Sequence, residues 1–286
     1  MRAPPILSAL LLAAVLLGTL ACGSEPEPPA PCNGDAALCS RSLPEVVLPG
    51  THNSMSNDDE GWSVPNQTFG LARQLEDGVR AMLLDTHEWQ GGLWLCHAAC
   101  ELGATPLVEG LGTIAAFLDA HPREVMVLIL QDATTVAETV AAIDASGLGA
   151  HVYRGDPAAG WPTLEEMIAS GERVLVSAEF SGPPPAWYHH AWDLFRDTPY
   201  SFAALEEFSC AHNRGDPAAP LYLLNHWIGN SLADPDAAAE ANTAAVLGAR
   251  AAECQAESGR LPNIVAVDFY DLGDLFEVVA DLNGLR

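Results

Sequence analysis

The chain has 286 residues and a formal net charge of −26, and every one of its twelve basic residues is arginine. That length is close to one α/β barrel, about 250 residues, and predicts a single large domain. The charge excludes the basic face of a nucleic-acid binder and the polybasic stretch that holds a protein to anionic lipid. An anionic substrate must then be met by a metal or a few local arginines.

Arg2, the apolar run Ile6 to Leu20 and the small residues before Cys22 read as an export signal over residues 1–21. The run is short of the roughly 20 apolar residues of a membrane span. Ala21-Cys22-Gly23-Ser24 resembles a bacterial lipoprotein processing site, which implies acylation of Cys22 and lipid anchoring in the cell envelope. Cleavage without a lipid, giving a secreted protein, is the alternative. Residues 22–42 are then a tether and a disulfide-bearing loop, because the Pro- and Glu-rich stretch Glu25 to Pro31 cannot pack a core. The domain proper is expected over residues 43–286.

With Cys22 assigned to lipid, the remaining set is even: Cys32, Cys39, Cys96, Cys100, Cys210 and Cys254. An even set in an exported chain predicts disulfides. Cys32 with Cys39 would close a small loop and Cys96 with Cys100 a tight one around His97. A zinc site at Cys96-His97-Ala98-Ala99-Cys100 is the competing reading, without a second Cys/His pair of matching spacing.

Strand-like runs follow at Pro44 to Leu48, Val79 to Asp85, Leu93 to Cys96, Val125 to Gln131, Arg173 to Ala178, Leu221 to Leu224 and Ile264 to Phe269. They alternate with helical patterns at Gly112 to Ala120, Thr135 to Ser146, Leu164 to Ala169 and Ala237 to Glu257. Such alternation predicts an α/β fold with a parallel sheet, and the unbroken apolar character of Val125 to Leu130 predicts strands covered on both faces. Seven or eight units point to a closed (βα)8 barrel. In a barrel, chemistry gathers where strands end at the C-terminal rim. The polar residues there are His52, Asn53, Asp85, His97, Asp132, Glu179, Asn225, His226 and Asp268. His52 and His97 can divide base and acid work between two imidazoles, with His87 and His226 as rivals. Asp85 and Asp132 suit a hard cation, Ca²⁺ or Mg²⁺. Asp268, on the strand that a closed barrel sets beside the first, suits an orienting role toward His52.

Leu48-Pro49-Gly50-Thr51-His52-Asn53-Ser54 resembles the first catalytic motif of phosphatidylinositol-specific phospholipase C X domains. Gln74 to Arg80, Leu84-Asp85 and Trp94-Leu95-Cys96-His97 resemble the second block, and Ala266-Val267-Asp268-Phe269-Tyr270 resembles segments of plant, fungal and bacterial X-domain phosphodiesterases. The resemblance runs from about Leu43 to the C-terminus. It implies a distorted TIM-barrel-like fold and a lipid phosphodiester as substrate. It also implies a cleavage in which His52 deprotonates the neighbouring hydroxyl, a cyclic phosphate forms, and His97 protonates the leaving oxygen. Asn53 and Asp85 match the calcium-dependent pattern, with Asp132 as third ligand and Gln131 its rival, whereas Leu83 stands where calcium-dependent relatives carry Glu.

Arg214, His226 and Glu179 are the expected substrate contacts, and the scarcity of cations near the rim argues against polyphosphorylated inositides. A monomer is expected. A metal-dependent lipase of the sphingomyelinase D or glycerophosphodiesterase kind is the second enzymatic possibility. A surface barrel that binds lipid or glycan without catalysis is the third.

Overall fold

The computed structural model describes residues 30–229 and 232–286 together with Met1. The signal run, Cys22 and most of the tether lie outside the described residues. In chain order the elements are β1 (Leu48–Thr51), α1 (Leu71–Asp77), β2 (Ala81–Trp89), β3 (Gly92–Leu95), β4 (Thr105–Pro106), α2 (Leu107–Ala120), β5 (Met126–Asp132), α3 (Val136–Ala145) and α4 (Leu164–Ser170). There follow β6 (Val174–Ala178), β7 (His189–His190), α5 (Ala191–Leu194), β8 (Phe195–Asp197), β9 (Leu221–His226), α6 (Pro235–Ala241), α7 (Ala249–Ser258), β10 (Ile264–Val267) and α8 (Leu275–Leu282).

Eight of the strands form one curled sheet in the order β7-β6-β5-β2-β1-β10-β9-β8, parallel throughout. The fold is thus TIM-barrel-like, but among the described residues no ladder joins β7 to β8, and the barrel stands open at that seam rather than closed. The strands on either side of the seam are only two and three residues long and carry no apolar run, which is why the sequence pattern passes over them.

Period-two alternation divides the buried residues into two cores. Leu83, Val127, Ile129, Leu175, Leu221, Leu223, Ile264 and Ala266 fill the interior of the curl. Met82, Leu84, Leu128, Leu130, Val176, Leu224, Val265 and Val267 pack outward, with helix residues such as Leu111, Ile114 and Val278. Burial on both faces accounts for the continuous apolar runs. α3 and α4 each begin at a capping box, Thr135 with Glu138 and Thr163 with Glu166.

β1 begins four residues later than the pattern predicts, since pairing with β10 starts at Leu48 opposite Ile264. Pro49 and Gly50 look like turn residues yet lie inside a central strand. The ladder uses the carbonyl of Pro49, which accepts from Arg80 N at 2.9 Å. Gly50 permits close approach, because a Cβ there would lie 2.8 Å from Ile264 Cγ2. Residues 32–42 are part of the domain rather than a loop ahead of it: Cys32 and Leu38 join the inner core, and Asn33 bonds both polar groups of the Val125 backbone. The long helix expected at Ala237 to Glu257 is interrupted at Asn242, whose amide donates to the carbonyls of Asp268 and Phe269 and so braces the end of β10.

Candidate active site

The C-terminal ends of the strands surround a cavity of about 370 Å³ whose walls include His52, Asn53, Asp85, His97, Gln131, Glu179, Arg214, Asn225, Trp227 and Asp268. His52 follows β1 directly, and its backbone N–H continues the ladder to Val267 O at 2.9 Å. Its Nδ1 lies 2.8 Å from Asp268 Oδ1, and its ring stacks on Trp227 with centroids 3.8 Å apart and planes 3° from parallel. Asp268 is buried, and the same oxygen accepts from Asn66 Nδ2 at 3.1 Å. Asn66 in turn accepts from Asn53 Nδ2 at 3.3 Å, and the neighbouring Gln67 donates to the carbonyls of His52 and Val267.

His97 reaches the same cavity by another route. β2 runs on past the sheet, turns at Gln90 and Gly91, both at positive φ, and returns as β3 antiparallel to itself, pairing Thr86 with Leu95. β3 is therefore a hairpin arm, not a barrel strand, and it delivers His97 back to the level of Asp85. Nδ1 of His97 is 2.8 Å from Asp85 Oδ2. That hydrogen bond holds the His97 imidazole above its ordinary pKa, against a smaller opposing effect of burial. The two imidazole centroids are 6.4 Å apart. A phosphate group is small enough to touch both rings across that gap.

Parity decides the other expected ligands. Ile129 points into the curl, so Gln131 does too, and it lines the cavity. Asp132, the expected third metal ligand, falls on the outward face with Leu130. It accepts from Phe180 N at 2.9 Å and from the Ser181 hydroxyl, so it is a loop anchor. The same rule displaces His226: Leu223 and Asn225 face inward, while His226 lies outward with Leu224, fully buried. It bonds Ala241 O at 2.9 Å and the Arg250 guanidinium at 3.1 Å, and burial followed by the Arg250 charge pushes its pKa down to about 3. His226 is a neutral core residue and not a substrate contact. His87 pairs with Trp94 across the hairpin. Arg80 braces the opposite end of β2, with Glu124 Oε2 at 2.6 Å.

Glu179 and Arg214 do line the cavity, joined at 3.0 Å. Arg214 also donates three times to Asp197, twice through its guanidinium, and lies between Trp192 and Tyr200 at 3.9 and 4.4 Å from their centroids. Burial raises the Glu179 carboxyl above its ordinary range, and Arg214 opposes that rise. The sequence reading overlooks Asn66, Gln67 and Trp227, since none stands at a strand end reached from its own apolar run.

A hard divalent cation takes six to eight oxygens, with carboxylates among them. Facing this cavity are three carboxylates, each already engaged by a base, Asp85 by His97, Glu179 by Arg214 and Asp268 by His52, with the amides of Asn53 and Gln131 and the side chain of Leu83. Among the described residues the one cluster of three His, Cys, Asp or Glu donors is Cys32, Cys39 and Glu165, and its sulfurs are joined as a disulfide. This donor set does not fit Ca²⁺ or Mg²⁺. The other two bridges are Cys96–Cys100 and Cys210–Cys254, so all six of the expected cysteines are paired.

An open TIM-barrel-like α/β domain with two imidazole–carboxylate pairs in its strand-end cavity is the class of protein these features define. The PI-PLC X family model matches residues 38–283, and the chain belongs to that family. It is similar to an "Uncharacterized secreted protein" of Arthroderma benhamiae, 31% identical over 293 residues and covering 91% of this chain and 66% of that one. PI-PLC X domain-containing protein 1 of the same organism is 29% identical, over 98% of this chain and 96% of its own. Among solved structures, a mutant of the phosphatidylinositol-specific phospholipase C of Staphylococcus aureus superposes with a TM-score of 0.57 at 14% identity. It covers 86% of this chain and 95% of that one, a likeness of fold.

Proposed function

We propose that the chain is an exported phosphodiesterase that cleaves a phosphatidylinositol-type lipid by acid–base catalysis. One observation carries it: both imidazoles are pinned at Nδ1 by their own carboxylates, which leaves each Nε2 for chemistry, 6.4 Å apart by centroid across one cavity.

With Nδ1–H donated to Asp268, neutral His52 presents a lone pair at Nε2 and acts as base toward the hydroxyl beside the phosphate. That oxygen attacks phosphorus. His97, whose protonated form the Asp85 hydrogen bond favours, hands a proton to the departing glycerol oxygen, and diacylglycerol and a cyclic phosphate result. Water can then open the cyclic ester with the two roles exchanged. Asp268 stabilises the imidazolium formed on His52 and fixes its tautomer. No step is assigned to a metal.

Contact with a lipid surface is supported by exposed apolar side chains at the cavity mouth: Leu102, Tyr200 and Leu232 line it, and Phe180 follows Glu179. Anchoring through an acylated Cys22 belongs to the same proposal and rests on the sequence. The test is release of diacylglycerol from phosphatidylinositol vesicles by His52→Ala and His97→Ala. Each should lose about 10²-fold or more, and wild-type turnover in both would reject the mechanism.

A further inference from the structure

The histidine on the hairpin arm is poorly held by packing. Backbone hydrogen bonds hold only the two ends of its segment, Cys96 N to Asp85 O at 3.3 Å and Leu102 N to Ala99 O at 2.9 Å, and among the described residues none is made by His97 or Ala98 themselves. His97, Ala98 and Ala99 beyond it are all exposed, and Ala98 has φ +56°, a region that side chains with a Cβ rarely adopt. The two residues flanking this bulge behave differently. Cys96 and Cys100 are buried in the outer core with Trp62, Leu95 and Leu107, and a disulfide joins them. Three exposed residues, the imidazole among them, are thus closed into a small ring whose two ends are fixed in the core.

We infer that the Cys96–Cys100 bond is a positioning element of the site, which sets the His97 imidazole against Asp85 and within reach of the phosphate. The inference rests on the assignment of His97 as the acid. Its consequence is a dependence on redox state. A dithiol that passes two electrons and two protons to the bridge cleaves it to two thiols, and itself closes to a cyclic disulfide. His97 then keeps only its contact with Asp85, and the acid leaves its place. A chain still in a reducing compartment would carry an unassembled site, and oxidation after export would complete it.

The test compares three forms of the full chain: wild type, C96S/C100S, and C210S/C254S as the control that loses a remote bridge. Diacylglycerol release from phosphatidylinositol vesicles gives kcat and KM, and nitrogen-15 imidazole spectra report the Nδ1–H that His97 shares with Asp85. A misplacement of ~1 Å costs about 10²-fold in rate, so C96S/C100S should lose about that factor in kcat with KM unchanged. Its His97 Nδ1–H signal should broaden or vanish, and the control should match wild type in both. Should C96S/C100S fail to fold, insertion of Gly-Gly between Ala98 and Ala99 with the bridge intact widens the ring, and the same two losses are expected. Unchanged kcat and an unchanged His97 signal in the folded variant would overturn the inference. If the wild type cleaves no phosphodiester, the His97 signal alone decides whether the bridge positions the ring, separately from the function.

Discussion

Replacing Asp268 with Asn and with Ala separates the role of its charge from its structural role. Asp268 Oδ1 accepts from His52 Nδ1 at 2.8 Å and from Asn66 Nδ2 at 3.1 Å. In Asp268→Ala both donors lose their acceptor. Asn66 is buried and bears a full penalty of about 1–3 kcal/mol, whereas His52, with its ring 21% exposed, can recruit water. For a domain of this size a loss of that order lowers Tm by about 2–4 °C per kcal/mol. In Asp268→Asn the amide oxygen can take the place of Oδ1 and accept from both His52 Nδ1 and Asn66 Nδ2. Stability is then nearly kept. The tautomer is kept as well, but the negative charge that stabilises the imidazolium formed on His52 is gone, so the base is weakened. Turnover should fall by about 10²–10⁴-fold in both variants, while only the alanine form melts early. Diacylglycerol release and differential scanning calorimetry measure the two quantities. If Asp268→Asn turns over within twofold of wild type, stabilisation of the His52 imidazolium by the Asp268 charge is refuted.

Asp85→Asn removes the bond that raises His97, so the imidazolium persists to a lower pH limit and the alkaline limb of kcat should move toward acid, with the acid limb unmoved; a fixed alkaline limb would count against His97 as the acid. His226 is held neutral, its pKa pushed from 6.5 to about 3, so between those values the unfolded chain binds a proton that the folded chain refuses. Stability should therefore fall as pH drops through that window, by at most about 1.4 kcal/mol per unit, and His226→Gln should flatten the slope in urea titrations. Chelation is the third measurement: given the donors present, turnover should survive EDTA, and loss of activity restored by Ca²⁺ would show that the cavity rearranges to bind the ion.

How much of this was legible in the sequence depended on which physical signal each residue carried. The central strands were visible because two-sided burial makes them continuously apolar, and β1 beside β10 follows once a barrel is assumed, which brings Asp268 to His52. The apolar runs did not show where each strand changes face at its end. Gln131 against Asp132, and Asn225 against His226, are neighbouring polar residues at strand ends, and only the inward placement of Ile129 and Leu223 selects the first of each pair. Counting by twos from the inner core outward supplies that signal. Asn66, Gln67 and Trp227 were hidden for a different reason. They act from loops whose course is set by tertiary hydrogen bonds such as Phe269 N to Asn66 O, and no local periodicity encodes those.

The electrostatics of the cavity bear on the head group. Asp85, Glu179 and Asp268 line it, and Asp197 stands behind Arg214. Among the described residues Arg214 is the single arginine in the wall, and its donors are committed to Asp197 and Glu179 while Trp192 and Tyr200 cover its faces. Drawing that guanidinium toward a substrate phosphate would leave two buried carboxylates without their partner, and breaking such a pair costs about 3–5 kcal/mol. On the proposed function, the cation left for the substrate is His97, whose imidazolium form the Asp85 bond favours, one positive charge to match the one negative charge of a phosphodiester. Each further phosphate monoester on the head group would enter beside Asp85 and Glu179 with nothing to neutralise it. Phosphatidylinositol should therefore be turned over faster than its 4,5-bisphosphate in otherwise identical zwitterionic vesicles, by about tenfold for each 1.4 kcal/mol of that repulsion. Equal or reversed rates would mean that Arg214 is released on binding, and Arg214→Gln would then suppress the bisphosphate rate selectively.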